Sequence, residues 1–188
     1  MPGRTVTLDV RPRIIEAALR WADRGGQRTF TLSEVAAELG AIRQTVYRHF
    51  ATAEDLFDVA GAHAIESYID ELTEHTAALT TPGEWVVEML ASAIERLPSR
   101  PFLAQLLADR KTDQFIREMT SHKGAAISRE MFNRSSIDWT AAGYDNRDVD
   151  ELIELMLRIL QSMMLDPNDP PRKGPELRRK LSGWIGPR

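Results

Sequence analysis

Apolar residues recur every three or four positions along this chain, in stretches separated by glycine, proline and short polar runs, and that spacing predicts helices throughout. Ile14, Ile15, Ala18, Leu19 and Ala22 form one stripe over about residues 12–24, with Pro12 suited to the first turn and Gly25-Gly26 ending it. Leu32, Val35, Ala36 and Leu39 form a second. Thr31 with Glu34 three residues on makes a capping-box start for it, and Gly40 stops it because glycine takes the left-handed conformation at little cost. A third, short helix over about 42–49 buries Val46 and leads to Phe50, four residues further on. Its other face shows Arg43, Gln44, Thr45, Tyr47, Arg48 and His49, which are donors and amphipathic rings with no acid among them.

Beyond this helix pair the pattern continues. Thr52 and Asp55 form a second capping box, from which a long helix runs into the seventies with Leu56, Val59, Ala60, His63, Ala64, Ser67 and Tyr68 on its inner face. Thr80–Gly83 and Pro98–Pro101 are breaks. A helix over about 84–97 lies between them, and a short one from Phe102 ends near Arg110. A helical stretch runs from Thr112 to about Ile137, bent at Gly124, and then a turn at Thr140–Asn146. From Asp148 to Leu165 apolar residues cover most of a helix circumference, so that helix needs burial on more than one side. The last helix carries Leu177, Leu181, Trp184 and Ile185. The fold class is all-α, with about nine helices.

Composition narrows the functions open to such a chain. At 188 residues and 43% hydrophobic, it is one or two small domains with an ample core. Cysteine is absent, which excludes disulfides and thiolate sites. No apolar run approaches the ~20 residues that span a bilayer, and MPGRTVTLDV lacks an apolar signal core, so the expectation is a soluble cytoplasmic protein without membrane contact. Net charge is −4, but it is unevenly spread. Residues 1–50 carry eight Lys/Arg against five Asp/Glu, while the remainder carries 16 against 23. A basic head on an acidic body can dock on a polyanion in one orientation. Arg4, Arg11 and Arg13, in or next to a loose arm over residues 1–10, could reach a phosphate or the minor groove, or simply be solvated. His49, His63, His75 and His122 show no metal-ligand spacing, and no nucleophile elbow, phosphate loop or dinucleotide fingerprint occurs. No metal, no cofactor and no enzymatic activity are therefore expected.

A helix after a glycine turn that displays only donors is suited to a DNA groove, since phosphates repel carboxylates. Helix pairs of this kind also occur in all-α proteins that never meet DNA. Residues from about Pro12 to Ala60 resemble the DNA-binding domain of the TetR family of bacterial repressors. The resemblance runs through Ile14, Ile15, Ala17, Ala18 and Leu19, then Thr31-Leu32, Val35-Ala36 and Gly40, and is most specific in Thr45-Val46-Tyr47-Arg48-His49-Phe50. It implies a helix-turn-helix head over residues 1–51, with its motif at 31–50, and a regulatory and dimerisation body over 52–188.

Within that frame Arg43 and Gln44 suit guanine and adenine edges, while Thr31, Thr45, Tyr47 and His49 suit the backbone and Arg48 suits either. Two departures stand out: Ala53 replaces a usual phosphate-contacting Lys, and Ile42 replaces a usual Ser/Thr helix cap and is expected to pack instead. Trp85, Met89, Phe102, Leu106, Phe115, Met119, Met131 and Phe132 could line a cavity for a small apolar effector, or be core. Leu152, Met156, Ile159, Leu160, Met163, Leu181 and Trp184 could form a two-fold interface between copies of the chain, or the centre of a monomer. The implied partners are double-stranded DNA with a near-palindromic operator and a second copy of the chain. The implied function is a repressor released by a small apolar ligand. The alternative is a regulator of the same fold that answers to a protein partner instead.

Overall fold

The glycine- and proline-marked breaks in the sequence lie at or next to helix ends: Gly25 closes one helix, Gly40 follows another, and Pro82 and Pro101 each open one. The computed structural model describes residues 9–25, 30–108, 121–167 and 169–185. Among them are nine α-helices, one 3-10 turn at Leu97–Ser99, and no strand. The helices are α1 (Val10–Gly25), α2 (Leu32–Leu39), α3 (Arg43–His49), α4 (Ala53–Thr76), α5 (Pro82–Arg96), α6 (Pro101–Ala108), α7 (His122–Asn133), α8 (Asn146–Leu165) and α9 (Gly174–Ile185). The chain divides into two compact units, Met1–Glu66 with Pro101–Gln105, and Ser67–Arg100 with Leu106–Arg188. The division between them falls inside α4.

The first unit, the head, closes around Ile14, Ala17, Ala18, Val35, Val46, Leu56 and Ala60, all fully buried. Burying each of the larger aliphatics stabilises the head by roughly 1.5–3 kcal/mol. An aromatic row extends this core: Trp21 meets Phe30 at 6.0 Å, Phe30 meets Phe57 at 5.9 Å, and Phe57 meets Phe102 at 5.1 Å. The Phe102 backbone N–H donates to the Asp23 carboxylate at 3.2 Å. Phe102 therefore belongs to the head core and not to the cavity set in which the sequence placed it.

The second unit, the body, is centred on Trp85, whose ring is met edge-on by Phe132 at 4.8 Å and Trp139 at 5.6 Å. Leu90, Leu177 and Leu181 are fully buried, with Leu72, Met89, Val149, Ile153 and Met156 in the same cluster and Met131 packed against it. An ion network crosses its helices. Arg178 on α9 binds Glu88 on α5 through two nitrogens at 2.6 and 2.7 Å and reaches Glu95 at 3.1 Å. Glu88 also takes the Ser92 hydroxyl at 2.9 Å and His75 Nε2 at 2.9 Å. Arg96 donates to His75 Nδ1 at 2.8 Å and to Glu71 at 2.9 Å, and Glu71 also accepts from Arg100. The Arg178 guanidinium holds Glu88 down to about pKa 2 against the cost of its partial burial. Ser92 donates to the carboxylate and not to the imidazole, so this cluster lacks the geometry that activates a nucleophile.

Several expectations do not hold in the fold. His63 and Ser67 are exposed and do not line the inner face of α4. Of the stretch expected over 112–137, residues 112–120 lie outside the described residues. Beyond them stands a separate helix opened by Ser121, whose side chain accepts from the Gly124 N–H, so Gly124 sits in a first turn and bends nothing. Helix α8 begins with an Asp145–Asp148 capping box, a start signal that its apolar periodicity does not show. Its face is less uniformly hidden than its composition suggests: Val149, Ile153 and Met156 are buried, whereas Leu155 and Leu165 are exposed.

Candidate nucleic-acid interface

Local chemistry fixes how α3 is presented. Thr31 caps α2, its hydroxyl accepting from the Glu34 N–H at 3.2 Å, while the Glu34 carboxylate returns to the Thr31 N–H at 2.7 Å. These bonds hold the Glu34 carboxyl below its usual range. Gly40 follows at φ 67° and sends its N–H back to Ala36 and Ala37. That left-handed residue sets the angle at which the chain enters α3. Val46 and Phe50 then anchor α3 in the head core. On the far side, Thr52 and Asp55 form a reciprocal pair at 3.0 Å that starts α4.

With the inner side of α3 fixed by Val46, most of its other residues face outward. Arg43, Gln44 and Arg48 are exposed, Tyr47 is 52% exposed, and Thr45 is half-buried. Ile42, Gln44, Thr45, Tyr47 and Arg48 line an open depression of about 390 Å³ on this surface. Neither Arg43 nor Arg48 forms an ion pair among the described residues, whereas Arg20 reaches Glu38 at 3.6 Å and Arg24 also binds Glu38. Two uncompensated guanidiniums on an acid-free helix raise the local potential where a phosphate backbone would lie.

Other positions depart from the expected roles. Ile42 is the N-cap residue of α3 and makes no side-chain cap bond, as its chemistry requires, but it does not pack: it is 71% exposed. His49 Nε2 is buried without a hydrogen-bond partner among the described residues, so that nitrogen does not face outward. The Thr31 hydroxyl hydrogen goes to Glu34 at 2.7 Å, so a phosphate contact by that hydroxyl has to compete with the cap. Arg11 lies in the first turn of α1, with its guanidinium 5.1 Å from the centre of the Phe50 ring, where it covers the head core. Arg13 is exposed on the same helix, and Arg4 lies outside the described residues.

In the body, the proposed cavity residues Trp85 and Met89 sit in the closed core with Met131 against it, and Phe115 and Met119 lie outside the described residues, as does the side chain of Leu106. Of the expected interface residues, Leu152, Ile159, Leu160 and Met163 are half-buried and Trp184 is 52% exposed. Met156 and Leu181 are buried in the body's own core and offer nothing to a partner. Leu155 and Leu165, at 44% and 54% exposed, add apolar surface outside the set expected from the sequence. Among the described residues no group of side chains could hold a metal, and no helix is long and apolar enough to cross a membrane.

A three-helix core that presents one cationic, acid-free helix after a glycine turn is the arrangement of a helix-turn-helix motif. Residues 14–60 match the model of the bacterial regulatory proteins of the tetR family. The whole chain has the fold of such regulators. A TetR/AcrR-family transcriptional regulator from Thermobifida fusca is 16% identical, with 96% of this chain and 99% of that one covered at a TM-score of 0.60. The TetR-family repressor AlkX of a Dietzia species, implicated in biodegradation of n-alkanes, is 18% identical over 98% and 94% at 0.58. The fatty acid degradation regulator FadR of Bacillus halodurans is 15% identical over 94% and 93% at 0.53. No curated protein matches the chain in sequence. Residues 14–60 thus match the DNA-binding part of tetR-family regulators, and the chain as a whole has the fold of such regulators.

Proposed function

We propose that the chain is a homodimeric repressor that binds a near-palindromic operator and leaves it when its body takes up a small apolar ligand. The observation that carries the DNA-binding part is the outer face of α3, where exposed Arg43 and Arg48 lie unpaired among the described residues beside Gln44, Thr45 and Tyr47. Arg43 and Gln44, at the start of the helix, read bases; Thr45 and Tyr47 hold the backbone, and Arg48 serves either purpose. Two copies would set their recognition helices about 34–36 Å apart, one helical turn of DNA. Exposed Leu155, Leu165 and Trp184 support pairing through α8 and α9. The ligand part is supported by the names of fold relatives concerned with n-alkane and fatty acid degradation, which makes long-chain apolar compounds the first to screen. Such a ligand acts only if it binds the released state more tightly than the DNA-bound one.

The test is a mobility-shift series over an operator and its point variants. Arg43→Ala is expected to relax discrimination at one base pair per half-site, and Tyr47→Phe to weaken binding to all sequences alike. Unchanged discrimination in Arg43→Ala removes the readout role. A thermal-shift screen checks the ligand: a saturating compound at 100 times its Kd raises stability by about 2.7 kcal/mol.

A further inference from the structure

The most exposed large apolar side chain among the described residues is Ile42, and it stands where α3 begins. A branched hydrocarbon held 71% in water at this position does nothing for the fold. It packs on no core, and it leaves the helix end without the side-chain bond that a Ser or Thr would supply. It cannot bond a phosphate either. Its backbone is extended (φ −69°, ψ 142°), and it shares one surface depression with Gln44, Thr45, Tyr47 and Arg48. Ile42 is followed directly by Arg43 and Gln44. The base edges of the major groove are polar except for one group, the C5 methyl of thymine.

We infer that Ile42 is a specificity-determining residue that reads a thymine methyl, so that each operator half-site carries a thymine next to the base pair read by Arg43. The inference rests on the DNA-binding reading of α3. The β-branched side chain is stiff at χ1, so it offers a fixed apolar surface with little ordering cost. Seating it against the methyl removes apolar area of both from water, which a polar cap residue at this position would not do. Recognition at this step is therefore apolar, alongside hydrogen-bonded readout by its neighbours.

The experiment uses the full chain and the duplex that it enriches from random DNA. Each thymine of a half-site is replaced in turn by deoxyuridine, which lacks only the methyl and pairs identically. Wild type is expected to lose about fourfold in affinity at one thymine, the worth of one buried methyl group. Ile42→Ala should bind the parent duplex more weakly and show no further loss at that position, while Ile42→Val should keep most of the penalty. Because the side chain lies outside the core, the unfolding midpoints of both variants should stay near that of wild type. Equal binding of wild type to every deoxyuridine duplex, or the same penalty in Ile42→Ala, overturns the inference and leaves DNA binding intact. Failure of wild type to enrich any sequence removes the DNA-binding reading, and this inference with it.

Discussion

Single residues decide how α3 is shown to its surroundings. Gly40 sits at φ 67°, and a Cβ placed there would meet nothing within 4 Å. The cost of Gly40→Ala is therefore conformational, about 1–2 kcal/mol for an L-residue held left-handed, and it should appear in urea unfolding as a lower midpoint with unchanged slope. Thr31→Ala removes the capping pair with Glu34 and is expected to cost about 1 kcal/mol by the same measurement. Both positions were legible in the sequence because caps and left-handed turns depend on neighbours three or four residues away. Ile42 was legible only in part. Its chemistry announced the missing cap, but whether an isoleucine packs depends on what the rest of the fold brings near it, and here it is left 71% exposed.

Individual helices apart from α7 were legible to within a few residues; the Ser121 cap that opens α7 lay unread inside a longer apolar stretch. Their faces were less so. The spacing of Leu177 and Leu181 placed both on one stripe of α9 but did not say whether that stripe meets the chain's own core or a second copy; Leu181 proves fully buried. The Arg178–Glu88 pair joins residues 90 positions apart and has no local signature. That pair makes a pH prediction. Glu88 is held to about pKa 2 against an ordinary 4.5, so its contribution is present above about pH 4.5 and is lost as pH falls toward 2. Urea midpoints of the wild type should drop through that window more steeply than those of Glu88→Gln. Parallel curves would show that the pair contributes little.

For the molecule as a whole, the all-α fold class followed from the helix pattern, whereas the division at residue 51 came with the TetR resemblance and not from the pattern. Helix α4 runs past the motif, and Phe102, more than forty residues beyond the matched stretch 14–60, completes the head core against Phe57. Exposed Leu155 on α8 and Trp184 on α9 carry the pairing prediction: Leu155→Glu combined with Trp184→Glu should turn a dimer into a monomer in sedimentation or light scattering and abolish tight operator binding. A charge at each site is costly to bury in an interface and harmless in water. If the double variant keeps the mass of wild type, another surface joins the copies.

Whether paired copies of α3 read DNA is decided by selecting, at physiological salt, the fragments that the full chain binds from a random pool. One near-palindromic sequence should be enriched, with half-site centres about one helical turn apart or a multiple of it, and Arg43→Ala combined with Arg48→Ala should abolish that enrichment. A pool left as random as it began, or one equally enriched by the double variant, would show that α3 is not the reading element.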